Sequence, residues 1–302
     1  MQGPFGCDDK WCGQACPGVL PNPDAGMSEF ALHFRPAARR LCGMTAILNH
    51  SLPALPWADP RLARLPGTLP VAGDRWFTVA ETYAAQMAER DRLIASAAPV
   101  HALLPEAEAA AAELYDLTLD KLRATPGFSF GAQAVTRPDG VQVALQRAQP
   151  LLTLGRLLQE DLCLLTKGTN DEHCLTAAIL CFPASWTLAE KLGRPMSAIH
   201  IPVPAYDANI TKRVQRLLDA VRAGQPLWRM NHNLYANPDL FHPRTEAAPR
   251  SDAAPRYLRA EHQCLARLPQ TGAILFSIHT YVMAFGDLAP EDLRSLLAAH
   301  RR

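Results

Sequence analysis

DLCLLTKGTNDEHCLTAAILCFP, residues 161–183, sets two apolar runs on either side of a polar turn at Gly168–Glu172. Runs of this length bounded by turn residues predict an antiparallel hairpin. The residues C-terminal to this hairpin fix the rest of the fold. Short helical turns over Thr187–Leu192 lead to a proline-bounded segment around His200, then to a helix from about Asp207 to Val221. Ile210, Val214, Leu217, Leu218 and Val221 fall on one face of that helix. LWRMNHNLY (227–235), YLRAEHQCLARL (257–268) and AILFSIHTYVMAF (273–285) read as three more antiparallel strands. DLAPEDLRSLLAAHRR (287–302) closes the chain as a capped helix.

Two strands, a block of helices and three antiparallel strands is the plan of a PAS-type domain. The expected class is therefore α/β of the α+β kind, a PAS-like antiparallel sheet with helices over one face and a hollow between them, preceded by a helical N-terminal region. Three parts are expected. Residues 1–43 scatter Gly, Pro and Cys without period around Met27 and end beside Met44, which suits a disordered tail or a misassigned start. Residues 44–135 hold a proline-rich arm with Trp57 and Trp76, a helix behind an N-cap at Thr78 carrying Tyr83, Met87, Leu93 and Ile94, and an Ala-rich helix from Pro105 to Pro126. Residues 136–302 form the PAS-like domain, in which Arg137–Gly140 is a turn, VQVAL a strand and Leu151–Glu160 a helix.

Of the 302 residues 48% are hydrophobic, enough for one large domain or two small ones. With 30 basic and 29 acidic side chains, no global field favours nucleic acid or an anionic membrane. The sequence has no long apolar run and no signal-peptide layout, so a cytoplasmic protein is expected. Cys163, Cys174, Cys181 and Cys264 sit in apolar contexts and read as small buried hydrophobes. Cys7, Cys12 and Cys16 lack both a C-x-x-C pair and a histidine at zinc spacing.

Neither G-x-G-x-x-G nor G-x-x-x-x-G-K-[ST] occurs, so dinucleotide and P-loop chemistry find no support. Ten histidines include no pair with helical zinc spacing. His200 in IHIPVP sits where one imidazole can serve as an axial haem ligand; the alternative is a ring that caps the next helix or bonds a carbonyl. Strand periodicity puts Arg229, Asn231 and Asn233 on one face, which is either solvated or turned toward a polar or anionic ligand. Arg259, Glu261 and Gln263 share a face with Arg267 in phase. There Glu261 either pairs with an arginine or acts as a general base. Ser277, His279 and Tyr281 are in phase on the last strand and read as a hydrogen-bonding wall.

EDLCLL (160–165), CFPASWTLAEKLGRPMSAIHIPVPAYD (181–207), RMN (229–231) and RAEHQCLARLPQTGAILFSIHTY (259–281) together resemble the haem-dependent oxidative N-demethylase alpha-subunit family, over roughly 52–284. The resemblance implies haem b in a PAS-like domain and oxidative removal of a methyl group from a small secondary amine such as dimethylamine, with O2 consumed and formaldehyde released. It also implies a separate flavin and iron–sulfur reductase, in accord with the motifs missing here. Carried onto this sequence, it makes His200 the axial ligand, with His279 as runner-up, and Arg229, Asn231, Arg259 and Arg267 the surroundings of the cofactor. Glu261, His279 and Tyr281 are then the expected catalytic residues, with a hydrogen-bonding wall that includes His279, Tyr281 or Glu261. Two other readings remain: a non-catalytic haem-binding or sensory PAS-like protein, and a PAS-like scaffold for a small organic ligand without haem.

Overall fold

A computed structural model describes residues 46–300 except 64–66, 74, 169 and 202–207. Expectations for residues 1–43, for Cys7, Cys12 and Cys16, and for the two prolines after His200 lie outside the described residues. The chain runs α1 (Pro60–Ala63), β1 (Leu69–Pro70), α2 (Tyr83–Ala95), β2 (His101–Leu103), α3 (Glu108–Arg123), β3 (Ser129–Phe130), β4 (Ala134–Thr136), β5 (Gln142–Ala144) and α4 (Pro150–Gly155). It continues through β6 (Asp161–Lys167), β7 (His173–Ile179), α5 (Leu188–Lys191), α6 (Met196–Ile199), α7 (Ala208–Ala220), β8 (Leu227–Tyr235), β9 (Tyr257–Arg267), β10 (Ile274–Ala284) and α8 (Pro290–His300). The class is α+β, as the alternation patterns predict.

One antiparallel sheet organises the molecule in the order β1-β8-β9-β10-β6-β7-β2. Numbered by their sequence among themselves, its five central strands stand 2-1-5-4-3 when read from β7 through β6, β10 and β9 to β8 as 2-1-5-4-3, and β1 and β2 extend the two edges. A second small sheet, β3-β4-β5, contains the expected VQVAL strand. The two faces of the main sheet are covered differently. On one, Leu188 of α5, Met196 and Ile199 of α6, and Leu218 beside Val221 at the end of α7 pack on Cys163, Leu165, Leu265 and Ile274. On the other, Trp76, Phe77, Leu93 of α2 and Leu114 of α3 join Leu162, Leu164 and Leu275, while Leu52, Leu62 and Leu69 of the arm cover Met230 and Tyr281. Full burial of each such Leu contributes about 1.5–3 kcal/mol. Cys163, Cys181 and Cys264 are free and buried in this core, as expected of small hydrophobes.

Two local expectations are corrected. Thr78 does not cap α2; the helix starts after Thr82, whose hydroxyl takes hydrogen bonds from Asn49 Nδ2 and Gln159 Nε2 instead. The helix expected to reach Glu160 ends at Gly155, where an added Cβ would meet Ile179 Cγ1 at 2.6 Å. The freed residues Gln159 and Glu160 turn inward and accept the backbone N–H groups of Ala80 and Thr78 at 2.8 and 2.7 Å. Those side chains thereby satisfy an extended segment that has no strand partner there.

At the centre, Arg90 of α2 is fully buried and donates to Asp161 Oδ1 at 2.7 Å and to the Gly155 and Gln159 carbonyls. Asp161 also accepts the N–H groups of Cys181 and Phe182 at 2.7 and 2.9 Å. One carboxylate thus ties α2, the start of β6 and the end of β7 together.

Candidate functional site

Strand register decides which of the expected residues meet. In β8 and β9, Asn231 stands opposite Glu261 and Arg229 opposite Gln263, so odd-numbered residues of both strands share the face under α5–α7. In β9 and β10, Glu261 stands opposite Thr280 and His262 opposite His279. Odd positions of β10 therefore face the other way. Arg229, Asn231, Arg259 and Glu261 lie together on the helix face, whereas His279 and Tyr281 lie behind the sheet under the arm. The register thus sets Glu261 on one face of the sheet and His279 with Tyr281 on the other.

On the helix face, Glu261 is 7% exposed. Its Oε2 accepts Asn231 Nδ2 at 3.1 Å and Gln263 Nε2 at 2.9 Å, and its Oε1 lies 3.9 Å from Arg259 Nε. Arg229 donates to Gln263 Oε1 at 3.3 Å. Burial pushes the Arg229 guanidinium below its ordinary pKa, and the carboxylate of Glu261 opposes that shift. Arg229 Nε, Arg259 Nε, Asn231 Oδ1 and Thr280 Oγ1 are buried with no hydrogen-bond partner among the described residues. Each such atom costs about 1–3 kcal/mol when left unmet. A cluster of this kind suits a ligand that brings both anionic and polar groups.

His200 follows α6 on the same side. Its Nδ1 lies 2.9 Å from the Met196 carbonyl, and because a carbonyl only accepts, Nδ1 carries the proton. That is the carbonyl bond of the alternative reading, yet it also sets the tautomer in which Nε2 has the metal-binding lone pair, so the two readings use different nitrogens. Burial lowers the pKa of His200; the Met196 bond opposes this, and the charges of Lys191 and Arg229 add to it. The neutral ring is the ligating form.

Behind the sheet, His279 is 1% exposed and donates from Nδ1 to Glu160 Oε1 at 2.9 Å. Tyr281 is buried, its ring centroid 4.6 Å from that of His279, and burial pushes its hydroxyl pKa up. His262 stacks on Trp228 with centroids 5.0 Å apart. Burial, with the charge of His279, lowers its pKa to about 4 against an opposing pull from Glu160. Below pH 6.5 the unfolded chain therefore binds a proton at His262 that the folded chain refuses. Stability is complete above that pH and is lost as pH falls toward 4, by on the order of 3 kcal/mol from this residue. In urea unfolding at pH 7 and pH 4.5, His262→Leu is expected to show a visibly shallower acid loss than the wild type.

Arg267 does not face the cluster freely. Its guanidinium caps α7, donating to the carbonyls of Val221 at 2.7 Å and Leu218 at 2.8 Å, and to Gly272 at 2.7 Å. Its guanidinium nitrogens are thereby engaged as a helix cap. Arg259 likewise holds the Asp239, Leu240 and Phe182 carbonyls with Nη1 and Nη2, which leaves Nε toward Glu261. Sequence periodicity misses Thr280, because its membership depends on cross-strand register, and it misses Glu160, which the helical pattern places at a helix end.

Two surface clefts lie elsewhere, one of about 380 Å³ lined by Ile47, His50 and Glu81, the other of about 280 Å³ lined by Val71, Arg222 and Leu227. Neither is lined by Glu261. Among the described residues no group of three or more His, Cys, Asp or Glu side chains is placed to hold a metal, and no helix is long and apolar enough to cross a membrane. His200 and the cluster lie on the same side of the sheet, and a cofactor that carries its own metal and its own anionic groups could draw on one imidazole and the guanidinium groups there. A family model described as "Haem-dependent oxidative N-demethylase, alpha subunit-like" matches residues 67–302.

Proposed function

The chain belongs to the haem-dependent oxidative N-demethylase alpha-subunit-like family, and from that premise we propose that it binds haem b on the helix face and demethylates a small secondary amine with O2, releasing formaldehyde. The observation that carries this reading is the buried set of unmet atoms, Arg229 Nε, Arg259 Nε, Asn231 Oδ1 and Thr280 Oγ1, around Glu261, a larger set than the unmet Glu160 Oε2 and His279 Nε2 behind the sheet. The 2-1-5-4-3 strand order with α5–α7 over one face supports a PAS-like scaffold. Fold alone assigns no chemistry.

His200 would hold the iron through Nε2, its ring oriented by the Met196 carbonyl. Arg229 would take a cofactor carboxylate by charge-assisted hydrogen bonds, whereas Arg259, its Nη1 and Nη2 held by carbonyls, would offer only Nε. Bound haem supplies the redox chemistry with O2. Glu261 would bind the substrate ammonium and accept its proton, since Asn231 and Gln263 keep the carboxylate oriented as an acceptor. Cover by α5–α7 would exclude bulk water from that proton transfer. His279 and Tyr281 would support the sheet from behind through Glu160 and would touch neither substrate nor cofactor. Electrons would come from a separate flavin and iron–sulfur reductase, and the protein would act in the cytoplasm.

Purified protein expressed with ample haem is expected to show a Soret band and, with a reductase supplied, to form formaldehyde from dimethylamine. Haem without formaldehyde from any small methylamine would favour the sensory reading. A colourless protein would overturn both.

A further inference from the structure

α6 is a single turn, too short to be stable by itself, yet it ends directly at His200. Both ends are held from outside. Glu172, in the β6–β7 turn, accepts the Ser197 N–H at 2.7 Å and the Ser197 hydroxyl at 3.0 Å. At the other end, Lys191 Nζ donates to the Ile199 carbonyl at 2.7 Å, one residue before His200. Lys191 is 5% exposed. A buried ammonium is costly unless paired, and a methionine would fill similar space without that cost. Its counter-ion is Glu246, in the connection between β8 and β9. Glu246 is fixed in turn, because its N–H donates to Glu190 Oε1 at 3.0 Å and Glu190 Oε2 accepts the Thr187 hydroxyl at 2.6 Å.

We propose that Lys191, latched by Glu246, is a positioning residue that fixes the Ile199 carbonyl and so aims the His200 imidazole at the site. This rests on reading His200 as the haem ligand. The long connection between β8 and β9 thereby acts on a residue of another segment: release of Glu246 frees Lys191, and release of Lys191 frees the last peptide of α6.

The test is titration of apo-protein with hemin for the wild type, Lys191→Met and Glu246→Gln, repeated in a His200→Gly background supplied with imidazole. Lys191→Met is expected to weaken hemin binding about 10- to 100-fold, the size typical of lost outer-sphere support. Glu246→Gln, at a partly exposed position that tolerates change, is expected to weaken it by less. In the imidazole-supplied background Lys191→Met is expected to have no further effect, because a free imidazole needs no pedestal. In apo-protein, amide exchange at 199–201 is expected to rise with that of the sheet unchanged. Equal weakening in both backgrounds, no weakening in either, or faster exchange throughout the sheet would overturn the inference while leaving the ligand reading intact. Hemin binding unaffected by His200→Gly without imidazole would instead overturn the ligand reading, and this inference with it.

Discussion

Asp161→Ala lowers the free energy of unfolding by about 3–5 kcal/mol. The effect arises from the groups the carboxylate leaves behind. Arg90 stays charged and fully buried, and the Cys181 and Phe182 N–H groups lose their acceptor. Buried ion pairs are often replaceable by apolar residues of similar volume. This one is not expected to be, because Asp161 serves two backbone donors as well as a guanidinium. Urea unfolding of Arg90→Met/Asp161→Leu should therefore recover only part of the loss; wild-type stability in that double variant would show that the backbone contacts contribute nothing.

Glu261→Gln lowers kcat/KM for the amine by about 10²- to 10⁴-fold, the range expected when a positioned proton acceptor is removed. The amide keeps an oxygen for Asn231 and Gln263 but presents N–H groups toward Arg259, and it neither accepts the substrate proton nor balances an ammonium. Haem content should stay near that of the wild type, which separates this effect from loss of the cofactor. By the same reasoning Tyr281→Phe, behind the sheet, should change turnover by no more than about threefold, because a side chain on the opposite face touches neither the substrate nor the cofactor. A large loss in Tyr281→Phe with Glu261→Gln active would reverse the assignment of faces.

Much of the fold is legible in the sequence because its strands carry strong period-two or apolar signals between clear turns. The hairpin over 161–183, the three strands from Leu227 to Ala284 and the helix from Ala208 fall where the patterns place them. Within each strand the side-chain faces are legible too: Arg229 with Asn231, and His279 with Tyr281. Which face of one strand joins which face of the next is not. That depends on register, which the turn between Arg267 and Ile274 sets, and a shift by one residue moves every side chain to the other side. Chemistry groups Glu261 with His279, and geometry separates them. The roles of Arg267, Gln159 and Glu160 are hidden for a related reason. Each binds backbone groups of a segment remote in sequence, and no periodicity encodes such a partner.

The central claim is that haem lies on the helix face, held by His200, and not behind the sheet at His279. Absorption spectra of haem-loaded His200→Ala and His279→Ala test it directly. The account predicts loss or a clear shift of the Soret band in His200→Ala and a wild-type band in His279→Ala, whose deficit would appear as reduced stability. A wild-type spectrum for His200→Ala with loss of the band in folded His279→Ala would contradict it.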